Sequence, residues 1–345
     1  MKPCAIPPFL FPTTVAFVDD SASFLKNLSL RLDPALAFRL FDSPFAALVA
    51  LNAGTGTAPS VESFFSPYRH RGETSDARHV IDLNLDLIHR EVHNEQRFEQ
   101  ISVVVVDYDM PEIDGLEFCR QIKNRATKKI LLTGKADELI AVRAFNEGII
   151  DRFIRKQDSE VTSVLRRAIG ELQRAYFSDL EQMLSDALAV GSHLFLRDAE
   201  FARRFEDIRS EHGIVEHYVC CMPDGVLMLD ARGAARLLIV QSEEMLQSQY
   251  EIAYDQEAPQ GLLDALRRGK SLPYFWRTGG NYSHEHAGDW QACLHPAVEF
   301  EGKDWYTYAI VKDPPTFKLD YVLAYADYLD QLDEEQRKGP HRRPA

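Results

Sequence analysis

Residues 103–118 read Val-Val-Val-Val-Asp-Tyr-Asp-Met-Pro-Glu-Ile-Asp-Gly-Leu-Glu-Phe, and the fold follows from this stretch. Val103 to Val106 are β-branched without interruption, the pattern of a strand buried on both faces, as parallel strands are. The strand ends at Asp107, and Pro111 and Gly115 punctuate the way into a helix. In open α/β sheets, ligands bind at the carboxyl ends of strands, so a carboxylate there is a candidate for chemistry. A lone Asp in that place is more often a turn residue. The case for chemistry therefore rests on what the rest of the chain adds.

Working outward, Thr14–Val18 is a second short apolar strand ending in Asp19-Asp20. Ser21 is placed to cap a helix that carries Phe24, Leu25, Leu28 and Leu32 at helical spacing. Residues 37–41 read as the next strand and 44–52 as a short helix. Beyond Asp107 come a helix over 116–123, a strand over 129–132 ending in Thr133-Gly134, and a helix over 136–147 closed by Gly148. Strand 152–154 then leads to Arg155-Lys156. Five strands alternating with helices predict a doubly wound, five-stranded parallel sheet, an α/β fold. The interval from Asp20 to Asp107 exceeds what two crossovers of roughly 30 residues each need. An insertion is expected over residues 53–98, first a Gly/Thr/Ser/Pro-rich loop, then a helix over 81–98 with Leu83, Leu87, Ile88 and Val92 on one face. It reads either as surface elaboration or as an element that meets a partner or a second copy.

The chain has 345 residues, enough for two domains, and 45% hydrophobic residues, enough for real cores. A net charge of −14 argues against a broad nucleic-acid or anionic-membrane footprint. Five cysteines, odd in number and without a CxxC pair, read as reduced thiols of a cytoplasmic protein. Prolines interrupt any signal-peptide core near the start, and no apolar run reaches membrane-span length. The expected organisation is a tail over 1–12, the α/β domain over 13–158, a connecting helix over 159–190, an α+β domain over 191–338 and a disordered tail over 339–345. Val161, Leu165, Ala168, Leu172 and Ala175 form a heptad seam in the connecting helix. Its first half packs on the sheet and its remainder is expected to pair two subunits.

In the α+β domain, strands are expected at 216–222, 226–230, 235–241, 274–277, 291–299 and 305–311, and helices at 243–250 and 260–267. A closing helix carries Leu319, Val322, Leu323, Ala326 and Leu329. The strand–helix–strand order invites analogy with PAS-type sensor folds. His284, His286, Asp289 and His295 put metal-ligand types into one loop, although such loops are more often polar surface.

The strand-end residues belong together. Asp19, Asp20, Asp107, Thr133 and Lys156 would all lie around the crevice of the sheet. Three carboxylates gathered there repel one another unless a hard cation sits between them, and Mg²⁺ suits oxygen ligands, water and phosphate. A lysine and a hydroxyl beside them can stabilise a transferring phosphoryl group, and a carboxylate can accept it as an aspartyl-phosphate.

The pieces Val18-Asp19-Asp20, Val106-Asp107-Tyr108-Asp109-Met110-Pro111 with Asp114-Gly115, Leu132-Thr133-Gly134 and Phe153-Ile154-Arg155-Lys156 are matched in order. On them, residues 13–175 resemble a response-regulator receiver domain, the CheY-like module of two-component signalling. The resemblance implies that Asp107 is the phosphoacceptor. It implies that Asp20 and Asp107 hold Mg²⁺ with the backbone carbonyl of Asp109, Asp19 standing in the outer shell. Thr133 and Phe153 would form the switch, and Lys156 would pair with phosphoryl oxygens. The donor would be a sensor histidine kinase or phosphotransfer protein, and the chain a cytoplasmic, dimeric phosphoacceptor rather than an enzyme. Its output would not bind DNA, a class that includes some quorum-sensing regulators. Gln157 departs from the proline usual after the lysine. Two rival readings are opposed by the residues themselves. A haloacid-dehalogenase-like phosphatase also uses an apolar strand ending in Asp-x-Asp, but its second acidic pair follows the lysine, whereas Asp19-Asp20 precede it. A scaffold working without phosphorylation is opposed by the intact Asp20, Asp107, Thr133 and Lys156.

Overall fold

The computed structural model describes residues 5–53, 65–67, 81–83, 86–134, 138–157, 160–188 and 193–338. The tail from 339 and most of the expected loop of the insertion lie outside these. The chain divides into two compact units, and the division is interleaved. One unit holds residues 12–59, 95–179 and 325–345; the other holds 1–11, 60–94 and 180–324.

The first unit is built on a parallel sheet of five strands, β1 (Thr14–Val18), β2 (Phe38–Phe41), β3 (Ile101–Asp107), β4 (Lys128–Thr133) and β5 (Arg152–Arg155), in the order β2-β1-β3-β4-β5. The unbroken apolar runs are explained by burial on both faces. Val104, Val106, Ala16, Val18 and Leu131 face helices Pro44–Ala53, Gly115–Gln121 and Glu138–Asn146. Val103, Val105, Val15, Phe17, Ile130 and Leu132 face helices Ala22–Ser29 and Val161–Leu188. Because the strands are parallel, the carboxyl ends of β1, β3, β4 and β5 share one edge of the sheet. Ser21 caps helix Ala22–Ser29 as expected, its hydroxyl accepting from the Phe24 N–H.

Several expectations are corrected. The closing helix belongs to the parallel-sheet unit rather than the C-terminal one, and it runs Tyr325–Lys338, after a short 3₁₀ turn at Leu319–Tyr321. The Tyr325 hydroxyl donates to the Ala35 carbonyl at 2.7 Å, and Gln336 donates to the Phe38 carbonyl at 2.9 Å. Tyr328 and Thr14 share a 2.7 Å hydrogen bond, and both tyrosine rings pack on buried Phe98. The stripe Tyr325, Tyr328, Leu332 is amphipathic at helical spacing, and the ends of β1 and β2 offered it an apolar surface. Secondly, residues 81–98 are not one helix. Ile81–Leu83 is a strand paired with Phe65–Pro67, followed by a helix at Asp86–Arg90 and 3₁₀ turns at Glu91–His93 and Arg97–Glu99. Residues up to Asn94 belong to the antiparallel unit, where Ile88 and Val92 are fully buried and Asp86 accepts from the Cys221 thiol. The first half of the long helix packs on the sheet, as expected. Leu165, Ala168 and Leu172 are buried in the core of the parallel-sheet unit.

The second unit carries a seven-stranded antiparallel sheet ordered Phe9–Leu10, Ile214–Cys221, Asp224–Asp230, Ala235–Ser242, Trp305–Lys312, Leu294–Glu301, Ser271–Pro273. The N-terminal segment, expected as a tail, is therefore an edge strand. The strands expected at 274–277 and 291–299 are displaced: 276–278 and 290–293 form 3₁₀ turns. Phe275 and Cys293 are buried by packing against helices Glu243–Asp255 and Gln260–Arg268, which mimics the apolar pattern of a strand.

The Tyr328 hydroxyl is one bond in the anchoring of the last helix. Tyr328→Phe is expected to lower the stability of the parallel-sheet unit by about 1 kcal/mol in a urea titration. An unchanged midpoint would show that this bond does not hold the helix.

Candidate functional site

The residues singled out in the sequence meet at the carboxyl edge of the parallel sheet. β1 delivers Asp19, which is 1% exposed, and β3 delivers Asp107, 6% exposed. Lys156, just past β5, bridges them: its Nζ lies 2.7 Å from Asp19 Oδ2 and 2.7 Å from Asp107 Oδ2. The second oxygen of Asp19 accepts from the Ser21 N–H at 2.9 Å. Asp20 is exposed, yet its carboxylate offers an oxygen within 4.8 Å of those of Asp19 and Asp107. Thr133 ends β4 one residue past the pairing partner of Asp107. Its side chain is buried, and among the described residues its hydroxyl has no hydrogen-bond partner. Asp109 is exposed, and Phe153 is half-buried against the core under helix Gly115–Gln121.

Two groups escaped the sequence reading. The Phe24 ring lies 4.6 Å from Lys156 Nζ and covers the ammonium from helix Ala22–Ser29. An apolar residue in the first helical turn after Asp20 is the signal that could have found it. Gly115 is required by close approach: a Cβ there would fall 2.3 Å from the Asp107 carbonyl oxygen. Asp114 caps this helix, accepting from the Leu116 and Glu117 N–H groups, while the Gly115 N–H donates to the Tyr108 carbonyl. The loop after Asp107 is thereby pinned against the strand it leaves. Among the described residues the cis peptide bond is Met222–Pro223; none falls at Gln157, which stands in the place of the usual proline.

The electrostatics follow from partial burial. Burial pushes the Asp107 carboxyl above its ordinary value; hydrogen bonding to Lys156 opposes this without cancelling it, and the Asp19 charge adds to it. Burial alone would lower the Lys156 ammonium, but hydrogen bonds to Asp107 and Asp19 outweigh it and raise its pKa. The pocket therefore holds two adjacent carboxylates on one ammonium, with a third carboxylate alongside.

The response regulator receiver domain model matches residues 88–166, the half of the unit from the end of the insertion onward. The solved structure of the Legionella pneumophila response regulator LqsR is 40% identical, covers 96% of this chain and 98% of its own, and superposes with a TM-score of 0.76. The chain belongs to the response-regulator family. Transcriptional regulatory protein ResD of Bacillus subtilis (strain 168) is 37% identical over 83 residues, and YxdJ of the same organism 32% over 120 residues. The chain spans 33% and 48% of the lengths of these two curated relatives. With LqsR the likeness extends through the antiparallel unit as well. The CheY-like receiver expected from the motifs is present, and among the described residues no helix is long and apolar enough to cross a membrane.

Two outcomes test the site. Gly115→Ala is expected to cost about 1–3 kcal/mol of stability by overpacking, read by chemical denaturation; a neutral effect would mean that the loop after Asp107 gives way freely. The second concerns pH. With its folded value raised, the contribution of Asp107 is fully present below about pH 4 and lost as pH rises through the folded value. In metal-free buffer the parent should lose stability relative to Asp107→Asn as pH rises above about 4. A difference that stays flat over that range would contradict burial as the dominant influence.

Proposed function

We propose that this chain is a phosphoacceptor of two-component signalling, modified on Asp107 in a Mg²⁺-dependent reaction. The observation that carries the reading is the convergence of Asp19 and Asp107 on Lys156, beside Asp20 and the unpartnered Thr133 hydroxyl. The donor would be a phosphohistidine on a sensor kinase or phosphotransfer protein. An Asp107 carboxylate oxygen attacks phosphorus; the O–P bond forms as the P–N bond to the donor imidazole breaks. The electron pair of that bond stays on the imidazole nitrogen, which picks up a proton. The chain acts on no separate substrate, and its chemistry is its own phosphorylation and dephosphorylation.

The donor set fits the cation, since three carboxylates stand within 4.8 Å of one another and no softer ligand is among them. Asp20, Asp107 and the Asp109 backbone carbonyl would hold Mg²⁺, with Asp19 behind them. When bound, Mg²⁺ would compensate charge on the phosphoryl oxygens. Lys156 would exchange its bond to Asp107 for one to a phosphoryl oxygen while keeping Asp19. Thr133 would donate its proton to another, which gives its buried hydroxyl the acceptor it lacks. Phe153 would follow Thr133, and helix Val161–Leu188, which has residues in both compact units, would carry the change to the antiparallel unit. The output is proposed to act without binding DNA, in keeping with the net charge of −14. The protein is proposed to be cytoplasmic and homodimeric. With the seam through Leu172 buried internally, pairing would use the later part of the helix or another surface.

Incubation with Mg²⁺ and acetyl phosphate is expected to add a single phosphoryl group by intact mass, and none to Asp107→Asn. Lys156→Ala should slow the reaction by about 10²-fold. Equal labelling of the parent and Asp107→Asn, or none in the parent with any donor, would overturn the reading in favour of a scaffold.

A further inference from the structure

The antiparallel unit contains a second set of converging ligands, unconnected with the phosphoacceptor chemistry. Of the loop residues noted in the sequence, His284 is exposed and His295 packs beside Tyr274. His286 and Asp289 instead come together with Cys293. Cys293 Sγ lies 3.5 Å from His286 Nδ1, and His286 Nδ1 lies 3.7 Å from Asp289 Oδ1. All three donor atoms are within 4.8 Å of one another.

We infer that His286, Asp289 and Cys293 form a Zn²⁺ site in the antiparallel unit, with a fourth position open to water or a small exogenous donor.

The spacing is that of a metal site. A tetrahedral ion with Zn–S near 2.3 Å and Zn–N near 2.0 Å sets sulfur and nitrogen about 3.6 Å apart. The Sγ–Nδ1 edge already has that length, and the Asp289 edges need only modest closure. The donor set is thiolate, imidazole and carboxylate, which suits Zn²⁺ and not Mg²⁺. His286 and Cys293 are fully buried, and the rings of Phe275 and Trp276 pack 5.1 and 5.6 Å from the imidazole. The carboxylate is aimed by its second oxygen: Arg277 donates to Asp289 Oδ2 at 2.9 Å, which leaves Oδ1 buried, beside the histidine and, among the described residues, without a hydrogen-bond partner. Backbone bonds fix the loop, with the Asp289 N–H donating to the His286 carbonyl and the Ala292 N–H to the Asp289 carbonyl. Through Cys293 the ion would tie this loop to the core formed with Ala253, Leu262 and Leu263.

The same three residue types could suggest a thiol nucleophile. Cys293 is fully buried and out of reach of a substrate, which opposes that reading. One feature sets the expected strength. The other ring nitrogen of His286, Nε2, is buried and, among the described residues, unpartnered, whereas ligating histidines are normally held from that side. Affinity should therefore fall about 10–100-fold short of a fully supported site.

The test uses the full chain, stripped with chelator and then titrated with Zn²⁺ alone and, separately, with Co²⁺ alone. The parent should bind a single equivalent of Zn²⁺ that Mg²⁺ does not displace, and its Co²⁺ form should show a thiolate charge-transfer band. Asp289→Asn, which keeps the shape of a half-exposed side chain, should weaken Zn²⁺ about tenfold or more. Cys293→Ser should abolish the band, and Asp107→Asn should leave both signals intact. If Cys293→Ser does not fold, Asp289→Asn decides. The absence of a thiolate band in the parent, equal Zn²⁺ uptake by the parent and Asp289→Asn, or loss of Zn²⁺ in Asp107→Asn alone would overturn the site.

Discussion

The receiver depends on one electrostatic problem: two carboxylates at the ends of neighbouring parallel strands, held side by side and out of water. The parallel β1–β3 pairing forces Asp19 and Asp107 together, and burial penalises the charge of Asp107. Lys156 answers with one ammonium shared between both, placed there by the pairing of β5 with β4 and covered by the Phe24 ring. The balance is incomplete, since Asp107 remains above its ordinary value and Asp20 adds a third negative charge. On the proposed reading, a cation and then the phosphoryl anion would make up that shortfall. The buried Thr133 hydroxyl, with no partner, marks where the anion would be received.

The parallel sheet was legible because its information is local. A run such as Val103–Val106 has one physical reading, burial on both faces, and the strand ends follow from it. All five strands lie within a residue or two of their expected limits, and Asp19, Asp20, Asp107, Thr133 and Lys156 fall on the one edge that parallel topology dictates. What escaped was the choice of partner, which no local pattern encodes. The stripe Tyr325, Tyr328, Leu332 says that a helix buries one face, not which core receives it. Phe275 and Cys293 carry strand-like apolarity because they pack against two helices.

The interleaved division of the chain gives each unit pieces from distant parts of the sequence. The receiver is completed by the last helix, and the antiparallel sheet by the first strand and by Asp86–Arg90 of the insertion. The insertion is thus more than surface elaboration over its described helix, because Ile88 and Val92 are core residues. The two ligand clusters divide by chemistry in the same way, oxygen donors in the receiver and a mixed sulfur, nitrogen and oxygen set in the other unit. Each matches a different class of ion.

The most direct test of the central claim is a crystal structure of the full chain with Mg²⁺ and beryllofluoride, a mimic of the phosphoryl group. The account predicts beryllium on an Asp107 oxygen, a fluorine within hydrogen-bond reach of both the Thr133 hydroxyl and Lys156 Nζ, and Mg²⁺ between Asp20 and Asp107. A pocket that stays unliganded at saturating reagent, with Lys156 still bridging Asp19 and Asp107, would contradict it.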